Sequence, residues 1–339
     1  MTIDMHAHWR PSELAEALRA RTDLPRIERD ADGDEVLVGP RGSQKLAQAF
    51  DDVDERLALM DRHGIDAAMI SMLGGFGWME RLAVEQSLPL VRIYNDAVSA
   101  MCAAHPERSS AVAALPLADL DAAAQELDRA MGLPGMIGAQ VPGDGFVTLE
   151  RAQAFAPLFQ VANRHRALIF VHRGTMPGMP TPRPGKEDDN FMFRDGTLNM
   201  QASISSFMLT FCLTDFLDDY PDVAVQTHNL GGNLPFEFER LDHRSLIAFP
   251  DAELPSARIR RSRVVVDCNS LGARSIELGV DLYGAERIVF GTDGSDFGSE
   301  WSLKAVAEAR IDESQRQAIL HGNAAALLAR KAGIQAAAE

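Results

Sequence analysis

A closed barrel of eight parallel strands wrapped by helices is the fold class this sequence predicts, and three observations predict it. Eight short apolar runs alternate with longer amphipathic stretches along the chain. The runs are apolar at successive positions, as strands covered on both faces are. Two insertions break the alternation, one after the first run and one after the fifth, where a barrel builds its active-site loops.

The eight runs are 2–5, 67–72 (AAMISM), 110–115 (SAVAAL), 136–140 (MIGAQ), 167–171 (ALIFV), 223–227 (VAVQT), 264–267 (VVVD) and 288–291 (IVFG). Between them, 52–63 carries Val53, Leu57 and Met60 at helical spacing, and Gly64 is placed to end that helix. Segments 120–131 and 152–164 have the same character, and 312–332 closes the chain as an Ala- and Leu-rich helix. A doubly wound open sheet is the alternative, but no G-x-G-x-x-G follows the first strand. The expected organisation is one barrel domain over residues 1–339, with 10–49 as a charged inserted subdomain and 174–199, rich in Pro and Gly, as a long active-site loop.

Composition narrows the function. Thirty-three basic against 49 acidic residues leave a formal charge of −16. Nucleic acid and anionic membranes need a positive face, so neither is an expected partner. An anionic substrate requires local arginines to offset that field. Cys102, Cys212 and Cys268 form no C-x-x-C pair. Their odd number and the absence of a signal-peptide pattern fit a reducing cytoplasm.

The chemistry sits at strand ends. His6 and His8 are two apart at the end of the first run, so their imidazoles point to one side, an arrangement that suits a divalent metal. His172 follows the fifth run, His228 the sixth and Asp293 the eighth. In a barrel those ends converge on one rim, and polar groups placed there need partners.

In this pattern the chain resembles the amidohydrolase superfamily, and within it the decarboxylase branch typified by aminocarboxymuconate-semialdehyde decarboxylase. The resembling stretches are IDMHAHWRP (3–11), RLALMDRHGIDAAMIS (56–71), IFVHRG (169–174), THNLGGNLPFEFERLDH (227–243), IVFGTDGSDFG (288–298) and ILHGNAAALL (319–328). The resemblance implies that His6, His8, His172 and Asp293 hold one divalent metal; a histidine-rich set with one carboxylate favours zinc, with manganese the alternative. It implies that His228 acts as general base or proton shuttle. Dinuclear members carry a carbamylated lysine at the end of the fourth strand; here Gln140 stands in that place, which points to one metal. In the branch, the arginine corresponding to Arg240 enters the neighbouring subunit's site and holds a substrate carboxylate, which implies a homodimer. Arg173 departs from the proline usual beside the fifth-strand histidine and can supply positive charge at the rim. Trp9, with Phe76 and Trp78, is a candidate for lining the site. Asp296 also departs from the branch and adds negative charge near the metal.

His63, His105, His165, His243 and His321 fall at helix ends or in helical and loop contexts and read as structural. The expected activity is metal-dependent nonoxidative decarboxylation of a small unsaturated or aromatic carboxylic acid. The alternatives are hydrolysis of a lactone, ester or amide by activated water, and a non-catalytic ligand-binding barrel.

Overall fold

The computed structural model describes residues 1–39, 42–45, 52–72, 77–179, 189–269, 272–294 and 298–338. The eight apolar runs form the eight-stranded sheet: β1 (Ile3–Trp9), β2 (Ala67–Met72), β3 (Ser109–Ala113), β4 (Met136–Pro142), β5 (Leu168–His172), β6 (Ala224–Thr227), β7 (Val264–Asp267) and β8 (Ile288–Val289). Each strand pairs in parallel with the next. The circle closes where Met5 N–H donates to the Phe290 carbonyl at 2.8 Å and Gly294 N–H donates to the His6 carbonyl at 3.3 Å.

Side-chain alternation along each strand divides the apolar residues into two cores. Met5, Met69, Val112, Phe170, Ala224 and Val289 meet inside the barrel. Ile70, Ile169 and Val225 point outward and pack with helix residues such as Val91, Leu127 and Phe159. Burying one such side chain contributes roughly 1.5–3 kcal/mol. At the far end from the site, Asn323 donates to the carbonyls of Ala285 and Ile288 at 2.7 Å each, and Ala324 joins the interior core.

The helix Val53–His63 has the expected ends. The Asp52 carboxylate accepts from Glu55 N–H at 2.8 Å, and Gly64 ends the helix at φ +67°. Such a cap contributes about 1 kcal/mol. Three expectations needed correction. β1 runs on to Trp9, so His6 and His8 lie inside the strand and not past its end. The segment expected as one helix over 152–164 is two, Leu149–Ala154 and Ala156–Arg164, because Pro157 has no N–H to continue the ladder. The closing helix is interrupted by a wide turn at Ala318–Gly322 before Asn323–Ala338.

The first insertion holds a helix, Ser12–Arg19, and a three-stranded antiparallel sheet of Arg26–Arg29, Glu35–Gly39 and Gly42–Lys45. In the second insertion, Asp144 N–H donates to the Gly174 carbonyl at 3.1 Å and Arg81 to the Met179 carbonyl at 2.6 Å. Residues 180–188 of that loop lie outside the described residues. Phe191–Phe193 and the wide-turn segment Arg194–Asn199 lead into the helix Met200–Leu213. No helix of the described residues is long and apolar enough to cross a membrane.

Glu80 closes the short helix Gly77–Glu80 over the end of β3, where its carboxyl accepts from Leu115 N–H at 2.9 Å. Burial pushes this carboxyl from 4.5 up to about 8, against the Leu115 hydrogen bond. The folded pKa exceeds the unfolded one, so the folded chain keeps a proton that the unfolded chain releases. Stability therefore falls as pH rises from the unfolded value through the folded one. Glu80→Gln keeps the size and removes the titration. It is expected to shrink the drop in Tm between about pH 5 and about pH 9. Thermal unfolding of both proteins checks this, and parallel behaviour would contradict it.

Candidate metal centre

The register of β1 against β2 shifts between Asp4 and Ala7. Such a bulge lets Met5 face the interior while His6 and His8 also face it one layer higher. Both imidazoles are fully buried, with Nε2 atoms 3.2 Å apart. Each is aimed by its other nitrogen. His6 Nδ1 lies 2.8 Å from Asp267 Oδ2, and His8 Nδ1 lies 2.9 Å from Ser71 Oγ. The Ser71 hydroxyl itself donates to the Ala7 carbonyl at 3.1 Å, so it accepts from His8 Nδ1–H. Both Nε2 atoms therefore face the centre.

Asp293 arrives from beyond β8 with φ +53°, a left-handed conformation that a non-glycine residue adopts at a cost and that clusters at functional sites. Its Oδ1 lies 2.9 Å from His8 Nε2 and 3.3 Å from His6 Nε2. His172 ends β5, and its Nδ1 lies 3.0 Å from the Arg173 carbonyl, leaving Nε2 free toward the centre. That Nε2 is buried and has no partner among the described residues. One ligand atom each from His6, His8, His172 and Asp293 lie within 4.8 Å of one another. Three imidazoles, a carboxylate and an orphaned buried nitrogen fit a single divalent ion.

The electrostatics agree. Burial works against a charge on His6, but Asp267 and then Asp293 outweigh it and push the imidazole up to about 9. Burial opposes ionisation of Asp293, yet His6 and His8 hold it well below the usual carboxylate range. His172 is driven well below its ordinary value by burial, then by His228, His6 and His8. Burial also raises Asp4 to about 6. The cluster thus favours one cation among its Nε2 atoms, whether a proton or a metal.

His228 lies beside this set, with its ring stacked on His172 at 4.4 Å and 7°. Its Nδ1 is 3.0 Å from Asn229 Oδ1, and that oxygen also accepts from Asn269 Nδ2, so Nδ1 carries the proton. Its Nε2 accepts from the Arg173 main-chain N–H at 2.9 Å. Burial, then the His6 charge, lowers it to about 4. The imidazole is neutral at neutral pH, and its free lone pair is already engaged.

Sequence reasoning missed the residues that orient the ligands. Asp267 ends β7 as His172 ends β5, so the same strand-end signal was there to find it. Its Oδ1 accepts from Asn229 N–H at 3.0 Å and Asn269 N–H at 3.1 Å. Gly291 makes room for this pair, since a Cβ there would lie 2.8 Å from Asp267 Cβ and 2.9 Å from His6 Cβ. Asp4 accepts from His6 N–H, Thr292 N–H and Thr292 Oγ1, tying β1 to the strand end that carries Asp293. Arg56 donates to the His8 carbonyl from below.

Arg173 pairs with Asp195 at 3.3 Å near the loop. Trp9 is buried in the outer core, its Nε1 without a partner among the described residues. Arg240 lies on the helix Leu234–Ala248, with its side chain 75% exposed and 3.3 Å from Glu237. Gln140 is buried on β4, its Oε1 also without a described partner. Phe76 and Asp296 lie outside the described residues.

The model of the amidohydrolase family matches residues 3–330. The chain belongs to that family. Gamma-resorcylate decarboxylase of Rhodococcus jostii (strain RHA1) is 27% identical over 325 residues, covering 92% of this chain and 97% of the relative. 2-Amino-3-carboxymuconate-6-semialdehyde decarboxylase of Dictyostelium discoideum is 24% identical over 251 residues, 71% of this chain and 66% of that one. A solved dihydroxybenzoic acid decarboxylase from Polaromonas sp. JS666, with bound manganese and the inhibitor 2-nitroresorcinol, has the same fold. Its TM-score is 0.72 at 21% identity, covering 97% of this chain and 96% of that one.

Asp267→Asn keeps the shape but removes the charge opposite His6 Nδ1. It is expected to weaken divalent-metal affinity by roughly 10- to 100-fold. Competition with a chromogenic chelator measures this, with circular dichroism to confirm the fold. Unchanged affinity would show that Asp267 does not tune the ligand.

Proposed function

We propose that this chain is a metal-dependent nonoxidative decarboxylase of a small aromatic or unsaturated carboxylic acid. The observation that carries the reading is the four-donor cluster with its orphaned His172 Nε2, in a chain whose relatives named above are decarboxylases. His6, His8, His172 and Asp293 would hold one divalent ion. Zinc suits a histidine-rich set with one carboxylate, while the manganese bound in the Polaromonas structure supports the alternative. The ion would supply positive charge that binds and polarises the acid.

The chain's own groups do the rest. Loss of carbon dioxide breaks one carbon–carbon bond and leaves its electron pair on the substrate carbon, which then takes up a proton. Asp293 keeps 18% of its side chain exposed toward the bound acid, and would relay that proton from water to the carbon without storing it, since His6 and His8 keep it ionised. His228, neutral and stacked on His172, can accept a proton at Nε2 once that atom leaves the Arg173 N–H. Trp9 would line the site, and Arg173 would contribute positive charge at its edge.

On this reading residues 1–339 form one barrel domain carrying the 10–49 subdomain and the 174–199 loop, and the enzyme works as a cytoplasmic homodimer. Exposure of Phe236, Ile247 and Phe249 at 78%, 69% and 68% on and just after the helix of Arg240 supports self-association. Arg240 would then serve the neighbouring site.

Metal-loaded protein is expected to release carbon dioxide from hydroxybenzoic acids, and Asp293→Asn to lower that rate by about 100-fold or more. Coupled detection of carbon dioxide measures both. Release of an acid from a lactone or ester, without carbon dioxide from any acid tried, would contradict the proposal.

A further inference from the structure

Arg173 is fixed at the centre through its main chain. Its carbonyl meets His172 Nδ1 at 3.0 Å and its N–H donates to His228 Nε2 at 2.9 Å. The two hydrogen bonds join the backbone to both imidazoles without engaging the side chain. The guanidinium meets Asp195 through one contact, Nη2 to Oδ2 at 3.3 Å, with the two side chains 30% and 28% exposed.

We propose that Asp195 is a stand-in for a substrate carboxylate, and that an incoming acid displaces it from the Arg173 guanidinium. The inference rests on the acid-binding reading above and names the group that receives the acid. Four observations carry it. Asp293 is the carboxylate of the donor cluster in a chain of formal charge −16, so a second cation beside the ion would favour an anionic ligand. Arg173 is the described cation whose main chain touches both His172 and His228. A partly exposed pair of this kind contributes about 0–1 kcal/mol, so exchanging one carboxylate for another costs little. A single long contact also leaves unused the two-pronged geometry that a guanidinium offers a carboxylate.

Asp195 has somewhere to go. It sits in the segment Arg194–Asn199, and its Oδ1 already accepts from Asn199 Nδ2 at 3.5 Å. Released from Arg173, it remains hydrogen-bonded within its own segment and open to water, with no buried charge left behind. Binding of the acid thereby also unties the loop segment from the barrel rim.

The test is equilibrium binding of benzoate, with benzamide as its neutral counterpart, to metal-loaded protein by calorimetry. Asp195→Asn is expected to bind benzoate up to about fivefold more tightly, with benzamide unchanged. Arg173→Gln keeps the main-chain N–H and carbonyl on His228 and His172, and is expected to lose at least about tenfold in benzoate affinity. In the Arg173→Gln/Asp195→Asn double variant the Asp195 gain disappears. Unchanged or weaker benzoate binding by folded Asp195→Asn overturns the proposal. So does a gain that survives in the double variant, or no detectable benzoate binding to Asp195→Asn at all. Turnover is not read, so failure to release carbon dioxide would overturn the decarboxylase reading and leave this exchange standing.

Discussion

His6 Nδ1 and Asp267 Oδ2 lie 2.8 Å apart with both side chains fully buried. Much of the mouth of the barrel depends on that contact. It joins β1 to β7 across the top of the barrel, and Gly291 from beyond β8 must lack a side chain for it to form. The second Asp267 oxygen draws in the Asn229 and Asn269 main chains, and Asn229 in turn fixes the tautomer of His228. A buried carboxylate with three such donors is well satisfied, and its charge makes His6 a stronger ligand. The same contact turns His6 Nε2 toward His8, Asp293 and His172.

Balance of charge follows from this. Asp267 and Asp293 press a positive charge onto His6, while His172 and His228 are held neutral by burial and by their neighbours. A divalent ion replacing the His6 proton would satisfy both carboxylates and the orphaned His172 nitrogen together. Burial raises the Asp4 carboxyl to about 6 against its hydrogen bonds from Thr292 and His6.

The barrel and the strand-end residues that gather at its mouth were legible in the sequence because both are local signals. An apolar run followed by one polar residue marks a strand and its rim group, and His172, His228 and Asp293 were found that way. The extension of β1 to Trp9 was not legible, since HAHW carries too few apolar residues to read as strand. Pro157 marked a helix break that periodicity alone overrode. The partners of the ligands are harder because they are remote in sequence: His6 meets Asp267 at a separation of 261 residues and His8 meets Ser71 at 63. The clamp by Arg173 is made by main-chain atoms, which residue identity does not announce. Arg240 reads as a site residue through resemblance alone, and its side chain is exposed beside Glu237.

The central claim is that His6, His8, His172 and Asp293 form one mononuclear metal site. Elemental analysis of metal per chain tests it most directly, on the native protein and on a His6→Ala/His8→Ala variant. The expected result is about one equivalent of zinc or manganese in the native protein and loss of it in the folded variant. About two equivalents, or none in protein prepared without chelator and supplied with both metals, would contradict it.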